Sequence, residues 1–554
     1  MKVWCLLIDH EKKAAFGEAF SVIVGLDACI QDLKKKVKEE RPVDLEHVDA
    51  ARLTVWRCTD PSIDFADIDS DEFNDRLNEV FSPDEQKTLL IEVPEPQLAT
   101  TIPSKRPFEE SPHSYAEKMA RKAPTPSAAA KPHGMRFQQV EFPIHNGVPY
   151  ERTGHYVSIY SSALGALKDA IRNPSEEPLS ADLLQKIHSF IYDSAKLYET
   201  EDARRKKMIS HLGGILERHV HNKYRIEGAE LDGIIFREFC GGIVPFLCVE
   251  VKDTVGIGAD GAYQGACGWR KFIVQNKTTF RKTCSPSVII SIMGPYINIS
   301  GAVFTREFIV ESFTGYIFLG SGVSMDDRVI EVARIFRAIS VALNELEAEY
   351  VSKTSNTALM MPRPGFRDAD APELQFVKRL FEDDEHNAKA MFLAKLQEKD
   401  VLVKFTHRYN DEAHRTLDSE RRAPALHFVG DIVGGLKMVV MEYIDGETVQ
   451  DLKGRNRLLP ASASKDFKRA LELLHQQGIV HGDYRMPNLL VKDGRGYVVD
   501  FDWCGKHSEA RYPPTLNDFD NIAWADGVAR GSLMMKEHDC HLFSKLLEEV
   551  GVEK

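Results

Sequence analysis

The feature that most constrains the fold is a short pattern of acid and amide residues close to the C-terminus. In the string VHGDYRMPN, Asp483 and Asn488 lie five positions apart, and twelve positions after Asn488 an apolar strand ends at Asp500. An upstream apolar strand, VLVKF, carries Lys404. Phosphoryl transfer needs a carboxylate that orients the attacking group, oxygen ligands for Mg²⁺ and a cation on the nucleotide phosphates. The order of these four residues therefore predicts a phosphotransferase site.

The pattern resembles the catalytic loop and the metal-binding strand end of protein kinases, preceded by a lysine of the VAIK type. The resemblance implies a two-lobed protein-kinase-like domain over residues 373–554, in which Asp483 is the catalytic carboxylate. It also implies that Lys404 binds ATP and that Asn488 and Asp500 hold Mg²⁺. Glu412 is predicted to pair with Lys404, with Glu420 as the alternative.

Two departures leave the phosphate acceptor open. Gly482 stands where protein kinases usually carry arginine, and residues 500–503 read DFDW instead of DFG. Both features are closer to aminoglycoside-phosphotransferase-like and other small atypical kinases. Residues 374–400 contain no glycine, so any backbone amides that contact the phosphates must come from a turn of a different kind. The hinge between the lobes is predicted near residues 442–444.

The length of the chain predicts further domains. At 554 residues the chain is several times longer than a domain of about 100–150 residues. Its nine cysteines include no CxxC pair, which predicts reduced thiols. Charged residues between positions 9 and 13 interrupt the first apolar stretch, so no ordinary signal peptide is visible. Residues 283–305 carry no charged residue and are long enough to span a bilayer, but prolines and glycines break them, and two strands are predicted there in place of a membrane span.

The N-terminal region alternates strand and helix signals. Strands are predicted at residues 2–9, 19–25, 53–58 and 87–93, and helices at 28–41 and 72–81. This order is typical of a ubiquitin-like β-grasp, over residues 1–96. Residues 97–150 are predicted to form a disordered, proline-rich linker. The basic pairs of residues 105–122 have the spacing of a bipartite nuclear-import signal, although a plain solvated linker is the alternative.

The middle region, residues 151–352, carries a second acidic pattern. Asp232 lies in one apolar strand, while Glu250 and Lys252 lie two apart in the next, so the latter pair point to one face. Carboxylate oxygens bind Mg²⁺, and a nearby lysine can orient the attacking water. The pattern resembles the PD-(D/E)xK restriction-endonuclease-like superfamily, with an α/β core. Gln264 then matches the glutamine of its RecB-like branch, and Glu217 becomes a further metal ligand.

A basic stretch follows this pattern and predicts contact with DNA. Residues 261–306 contain no Asp or Glu, and lysines and arginines release counterions when they neutralise phosphates. The net charge of −13 excludes coating of nucleic acid by the whole surface. The basic residues of the stretch are Arg270, Lys271, Lys277, Arg281, Lys282 and Arg306.

Taken in order, the β-grasp region, the first linker, the nuclease-like core, a second linker at residues 353–372 and the kinase-like domain resemble a Crinkler effector of fungi or oomycetes. Strings such as LTVWRCTD and KTLLIEVP are typical of the N-terminal domain of that family. The resemblance implies secretion, action in a host cell and often in its nucleus, and host DNA, ATP and host proteins as partners, with no membrane. We expect Mg²⁺-dependent DNA cleavage combined with an ATP-binding kinase-like domain. The alternative is a kinase-only or pseudoenzyme effector whose middle domain binds DNA without cutting it.

Overall fold

The chain divides into two compact units, Met1–Phe108 with Met135–Glu141, and Glu109–Gly134 with Phe142–Lys554. A computed structural model describes residues 2–9, 20–23, 36–37, 54–57, 88–93, 111–149, 152–239, 241–255, 260–320, 322–352, 361–367, 371–380, 390–517 and 522–553. None of the helices within these ranges is long and apolar enough to cross a bilayer.

The first unit contains a four-stranded sheet. Its strands are β1 (Lys2–Asp9), β2 (Phe20–Ile23), β3 (Thr54–Arg57) and β4 (Thr88–Val93), in the order β2-β1-β4-β3. The central pair, β1 and β4, is parallel, and both outer pairs are antiparallel. All four strands were predicted from the sequence. The predicted helices at residues 28–41 and 72–81 lie outside the described residues, except for the helical residues 36–37.

The prediction of a disordered linker over residues 97–150 is wrong for its described part. Residues 111–149 contain the helices α1 (Pro112–Lys122), α2 (Pro126–Ala129) and α3 (Pro132–Glu141). Each begins with a proline, because the first helical residue needs no hydrogen-bonded N–H and proline already has the helical φ. Alanines of α1 and α2, such as Ala120 and Ala129, are buried. The prolines that looked like linker residues are therefore helix starts, and residues 97–110 lie outside the described ranges.

The middle of the chain is a mixed sheet covered by helices. Helices α4 (Ser162–Arg172), α5 (Ala181–Ser194) and α6 (Glu201–Leu216) precede strands β5 (His221–Ile226), β6 (Ala229–Phe239) and β7 (Gly242–Lys252). Then follow α7 (Gly261–Gln275), α8 (Lys277–Phe280), β8 (Ser287–Met293), β9 (Tyr296–Phe304), β10 (Phe308–Ser312), β11 (Ile317–Phe318) and α9 (Met325–Ser352). The predicted pair of strands within residues 283–305 is confirmed as β8 and β9.

The pairing of β7 with β8 sets the architecture of this sheet. The strand order is β10-β9-β8-β7-β6-β5, with β11 beside β9. Strands β7 and β8 are parallel, so α7 crosses between them, as the right-handed βαβ connection requires. Leu247, Val249 and Val251 belong to the core shared with α6 and α9. Alternation along β7 then turns Glu250 to the opposite face, toward α7.

The C-terminal part has two lobes. The first is a five-stranded antiparallel sheet, ordered β12-β13-β14-β16-β15, with one helix, α10. Its elements are β12 (Gln375–Arg379), β13 (Ala390–Leu396), β14 (Lys399–Thr406), α10 (Asp411–Ser419), β15 (Leu426–Ile432) and β16 (Leu436–Glu442). The predicted strand VLVKF, which carries Lys404, is confirmed as β14. The hinge predicted near residues 442–444 lies where β16 ends.

The second lobe is small and mainly helical. It contains β17 (Glu447–Thr448), α11 (Val449–Gly454), α12 (Ala461–Gln476), β18 (Ile479–Val480), β19 (Leu489–Lys492), β20 (Arg495–Val498), β21 (Gly505–Lys506) and α13 (Lys536–Val550). The catalytic-loop residues lie between β18 and β19, and Asp500 follows β20. The hairpin β19–β20 packs on α12, which holds both segments on one side of the lobe.

The middle sheet and the first lobe share one apolar core. The cluster that contains Ile309 of β10 also contains Phe392 of β13 and Val403 of β14. Asp169 of α4 accepts hydrogen bonds from the Gly434 N–H at 2.9 Å and from Arg367 at 2.6 Å. Residues 361–367, predicted as part of a second linker, therefore lie against the junction of these domains.

A glycine-to-alanine change at this junction tests how tightly the domains are joined. Gly434 has a φ of 96°, and a Cβ there would lie 2.4 Å from the Ser158 Cβ. Gly434→Ala is expected to destabilise the protein by about 1–3 kcal/mol, because the φ is strained for alanine and the space is filled. Thermal unfolding measures the change. The control, Gly454→Ala, has nothing within 4 Å of its Cβ, and equal midpoints for both variants would contradict a packed junction.

Candidate functional site

The catalytic loop holds Asp483 in a closed set of hydrogen bonds. Asn488 Nδ2 donates to the Asp483 carboxylate and to its backbone oxygen, both at 2.9 Å. Arg485 contacts both carboxylate oxygens, with Nη2 at 2.9 Å from Oδ2. Its guanidinium also lies over the ring of Trp524, at 5.4 Å from the centroid. Because Asn488 uses its NH₂ group on Asp483, its Oδ1 is the atom that can face a metal. Arg485 was not singled out from the sequence.

A buried carboxylate on the last helix positions this loop. Asp539 of α13 is fully buried and accepts the N–H groups of His481 and Gly482 at 2.8 and 2.9 Å. Gly482 has a φ of 80°, and a Cβ there would lie 2.0 Å from Met534 Cε. The conformation of this loop therefore requires glycine at position 482, where protein kinases usually carry arginine. The sequence could have identified Asp539 by its position among the residues of α13 that face the core.

Lys404 lies between two carboxylates that follow β20. Its Nζ is 2.6 Å from Asp500 Oδ1 and 2.7 Å from Asp502 Oδ1. Burial lowers the pKa of Lys404, but the two carboxylates outweigh burial and the net shift is upward. Burial raises the pKa of Asp502 to about 6, although Lys404 attracts its charged form. Lys404 is therefore a charged, buried ammonium, and its role in binding a nucleotide stays a prediction.

The predicted partner of Lys404 is wrong. Glu412 is exposed in the first turn of α10, and Glu420 is exposed just after this helix. The buried residues of α10 are Ala413, His414 and Leu417, none of which is a carboxylate. The amphipathic pattern of the sequence could place α10, but it could not show that its acidic residues point to solvent.

Helix α10 contacts the segment after β20 through His414. The imidazole stacks on Phe501 with a centroid distance of 4.5 Å and an interplanar angle of 12°. His414 Nε2 lies 2.7 Å from the Pro424 carbonyl, and Nδ1 lies 2.6 Å from the Tyr409 hydroxyl. A carbonyl only accepts, so Nε2 donates, and Nδ1 accepts from Tyr409 in the neutral imidazole. This contact fixes Phe501 between Asp500 and Asp502.

The oxygen donors near Lys404 suit Mg²⁺. Asp500 and Asn488 offer a carboxylate and an amide oxygen, which are hard ligands, and the Val499 N–H donates to the Asn488 carbonyl at 3.0 Å. No group of three or more His, Cys, Asp or Glu in the described ranges is arranged to hold a metal ion. Mg²⁺ is commonly held by one or two protein oxygens, with phosphate and water completing the shell. The residues at this site therefore fit Mg²⁺ with a nucleotide.

The connection between β12 and β13, residues 381–389, lies outside the described residues. Its sequence has no glycine and contains the acidic run EDDE at residues 382–385. A glycine-rich phosphate-binding turn is therefore missing from this connection at the level of sequence. Lys404, a cation, is buried at the site.

The structure brings together Asp232, Glu250 and Lys252 of the middle sheet. Lys252 Nζ lies 3.1 Å from Glu250 Oε1. Asp232 accepts the Val251 N–H at 2.9 Å, at the point where β6 leaves its pairing with β7. Burial raises the pKa of Glu250 well above its usual value, and Asp232 raises it further. Burial also raises the pKa of Asp232. A divalent cation would stabilise the ionised forms of the buried Glu250 and the half-buried Asp232, so this donor set also fits Mg²⁺.

The prediction of Glu217 as a further metal ligand is wrong. Glu217 lies just after the end of α6, its side chain is 78% exposed, and it pairs with Lys186. The first turn of α6 supplies Glu201 instead, with Oε1 3.2 Å from Lys252 Nζ. One turn later Arg205 lies 3.6 Å from Asp232. The four-residue spacing of Glu201 and Arg205 places them on one face of the helix, a signal that was present in the sequence.

Gln264 lies on α7, which covers the Glu250 face of the sheet. Its side chain is 7% exposed, and its Oε1 has no hydrogen-bond partner among the described residues. A Cβ on the neighbouring Gly265 would lie 3.5 Å from the Glu250 Cβ, so α7 is packed closely against this strand. Tyr263 and Trp269 are buried, which places both in the core.

The prediction that the basic stretch contacts DNA is wrong for its first two residues. Arg270 and Lys271 are 1% and 6% exposed. They donate to the backbone oxygens of Phe142 and Ala123 at 2.7 and 2.6 Å. Burial lowers the pKa of Lys271 to about 8. Lys277 and Arg281 both pair with Glu117 of α1, so an acidic residue from another segment partly neutralises the stretch.

Comparisons with known proteins assign the two ends of the chain. Residues 1–110 match the family model of the Crinkler effector protein N-terminal domain. KEOPS complex subunit Bud32 of Pyrococcus abyssi is 30% identical over 115 residues, which cover 20% of this chain and 40% of that protein. Serine/threonine-protein kinase PAK mbt of Drosophila melanogaster is 36% identical over 75 residues, 13% of this chain and 12% of that kinase.

A solved structure, the Cydia pomonella granulovirus kinase PK-1, aligns with 19% sequence identity and a TM-score of 0.27 over 32% of this chain and 67% of that chain. The matches to Bud32 and PAK mbt span less than half of each protein's length.

The two-lobed C-terminal part, with Lys404, Asp483, Asn488 and Asp500 joined at one site, is a protein-kinase-like domain. Two of its relatives, PAK mbt and the probable serine/threonine-protein kinase YbdM of Bacillus subtilis, support the same assignment. The N-terminal part is a Crinkler N-terminal domain. The chain thus joins the N-terminal domain of a Crinkler effector to a kinase-like domain, as the sequence patterns predicted.

The buried His414 predicts a pH dependence of stability. Burial lowers its pKa from 6.5 to about 4, so the folded state takes up fewer protons than the unfolded state between these values. Stability is therefore lost as the pH falls through this window, by about 3 kcal/mol for this residue. Urea denaturation of the wild type and of His414→Gln at pH 7 and pH 4.5 measures the difference. We expect the variant to be less stable at pH 7 and less sensitive to pH. An equal loss for both proteins would contradict a neutral His414.

Proposed function

We propose that the C-terminal domain binds ATP with Mg²⁺ and transfers the γ-phosphoryl group to a hydroxyl of a protein. The observation that carries this proposal is the joining of both lobes at one site. Lys404 of the first lobe contacts Asp500 of the second at 2.6 Å, and the segment of Asp500 is bonded through Val499 to Asn488. Asn488 in turn bonds to Asp483. Four residues with the chemistry of phosphoryl transfer are therefore linked in one network.

Each residue has a definite part in this reaction. Lys404 would place a positive charge on the nucleotide phosphates, while Asn488 Oδ1 and Asp500 would hold the metal, which would supply the charge that neutralises the transferred group. Asp483 accepts the hydrogen bond of the attacking hydroxyl and orients it. Arg485, which occupies both oxygens of Asp483, must yield one of them to the acceptor, and its guanidinium then faces the phosphate that is transferred.

We further propose that the chain is secreted and acts in a host cell, with its nucleus as the site of action. The match to the Crinkler family model supports delivery as the role of the N-terminal domain. A four-stranded sheet with parallel central strands supports a ubiquitin-like fold for it. The second half of the candidate import signal, Arg121 and Lys122, is exposed at the end of α1, where an import receptor can reach it.

Substitution of the catalytic carboxylate tests the phosphotransferase. Asp483→Asn is expected to reduce phosphate transfer from γ-labelled ATP by at least about 100-fold, because the amide cannot act as a base. Incorporation of label into the protein itself and into added protein acceptors is measured with Mg²⁺. The control is Glu548→Gln, because Glu548 lies on the exposed side of α13, and it should keep full phosphate transfer. Transfer that is unchanged in Asp483→Asn would contradict the proposal. ATP binding without any transfer would favour a pseudoenzyme that regulates by binding.

A second function is favoured by the middle sheet, and we propose Mg²⁺-dependent cleavage of DNA there. The order α6, β5, β6, β7, α7, β8 is similar to the core of PD-(D/E)xK nucleases. The buried pair of Asp232 and Glu250 fits a divalent cation, and Lys252 is placed to orient the attacking water. Glu201 takes the position of the additional acidic residue that Glu217 was predicted to fill.

Substitution of Lys252 distinguishes a nuclease from a domain that only binds DNA. Lys252→Ala is expected to abolish cleavage of plasmid DNA in Mg²⁺, because the cation that supports the attacking water is lost. The control, Lys206→Ala, removes a lysine of α6 that is 65% exposed, and Asp483→Asn tests independence from the kinase-like site. Cleavage should continue in both controls and stop in EDTA. Equal cleavage by wild type and Lys252→Ala would contradict the proposed nuclease site. DNA binding by the wild type without cleavage would favour the alternative, a middle domain that binds DNA without cutting it.

A further inference from the structure

Protein kinases hold their nucleotide-binding lysine through a glutamate on the single helix of the first lobe, and activation depends on the placement of that helix. The corresponding helix here, α10, offers no such group. Asp411 and Glu412 are exposed, and the remaining acid, Asp418, accepts the Leu426 N–H at 3.0 Å. Lys404 nevertheless remains buried and needs a permanent partner, because a buried ammonium without one is strongly destabilising.

We propose that Asp502 is the positioning residue of Lys404 and replaces the helix glutamate of other kinases. Its Oδ1 lies 2.7 Å from Lys404 Nζ. Its Oδ2 accepts a hydrogen bond at 2.9 Å from the hydroxyl of Thr406, which is two residues after Lys404 on β14. The carboxylate therefore bridges the ammonium, by an ion pair at Oδ1, and the strand that carries it, by a hydrogen bond at Oδ2.

The division of work between the two carboxylates follows from their positions. Asp500 contacts Lys404 at 2.6 Å, and its side chain is 37% exposed, whereas that of Asp502 is 24% exposed. Asp500 is the residue that would hold the metal with a bound nucleotide. Asp502 is tied to β14 through Thr406 and keeps Lys404 in place during that change. The residue that positions the lysine, Asp502, and the proposed metal ligand, Asp500, thus lie within one segment of three residues.

This arrangement has a consequence for regulation. In kinases with a helix glutamate, movement of the helix makes or breaks the lysine pair. Here α10 is fixed through His414 and Phe501 but supplies no charge to the site. The lysine is therefore placed without a helix switch, and nucleotide binding should be insensitive to the acidic residues of α10.

Nucleotide affinity of the full chain tests this inference, which rests on the proposed binding of ATP. Titration calorimetry with ATP, in Mg²⁺ and in EDTA, compares Asp502→Asn with the matched control Glu412→Gln. Asp502→Asn keeps the shape and an acceptor for Thr406 but loses the charge, so affinity should fall about tenfold. Glu412→Gln should change affinity less than about twofold. In a Lys404→Met background, Asp502→Asn should have no further effect, because its partner is gone.

The outcomes separate the two proposals. If the wild type binds no ATP, the proposed function fails, and the role of Asp502 fails with it. If the wild type binds and Asp502→Asn binds equally well, or Glu412→Gln is as weak as Asp502→Asn, only the positioning role is overturned. An effect of Asp502→Asn that persists in Lys404→Met shows a general structural role and also overturns it. A milder variant, Thr406→Val, guards against misfolding of Asp502→Asn and should weaken ATP binding by about two- to fivefold.

Discussion

The site depends on one buried ammonium shared by two carboxylates. Lys404 lies on a strand of the first lobe, and both of its partners, Asp500 and Asp502, follow β20 of the second lobe. Burial of these charges is unfavourable unless each has its partner, and removal of one partner costs about 3–5 kcal/mol in comparable sites. The two lobes are therefore held in register at the residues of the kinase-like site. The same contact brings the segment after β20 next to strand β14.

The first lobe is not an independent body. Its sheet shares an apolar core with β10 and with helices of the middle domain, and Asp169 ties the turn of Gly434 to residue Arg367. Relative motion of the two kinase lobes must then move the second lobe against the combined first lobe and middle domain. The middle sheet thus supports the kinase-like site through the shared core, whichever chemistry the middle domain performs itself.

Much of the kinase-like site could be predicted from the sequence because its residues occur at short, fixed spacings within local segments. Asp483, Asn488 and Asp500 are set by one loop and one strand, and alternation along β7 was enough to pair Glu250 with Lys252. The failures concern contacts between distant segments. Glu412 and Glu217 have suitable chemistry, but the rotation and the end of their helices turn them to solvent. Arg270 and Lys271 looked like surface cations, yet segments from residues 123 and 142 cover them. The prolines that begin α1, α2 and α3 gave this region a composition that is typical of a linker.

A crystal structure of the full chain with Mg²⁺ and a non-hydrolysable ATP analogue is the most direct test of the kinase-like site. We predict that the phosphates lie against Lys404 and that the metal bridges them to Asn488 Oδ1 and Asp500, with Asp502 still paired to Lys404. A nucleotide bound away from Lys404, or a metal held without Asp500, would contradict the assignment of this site as a phosphotransferase.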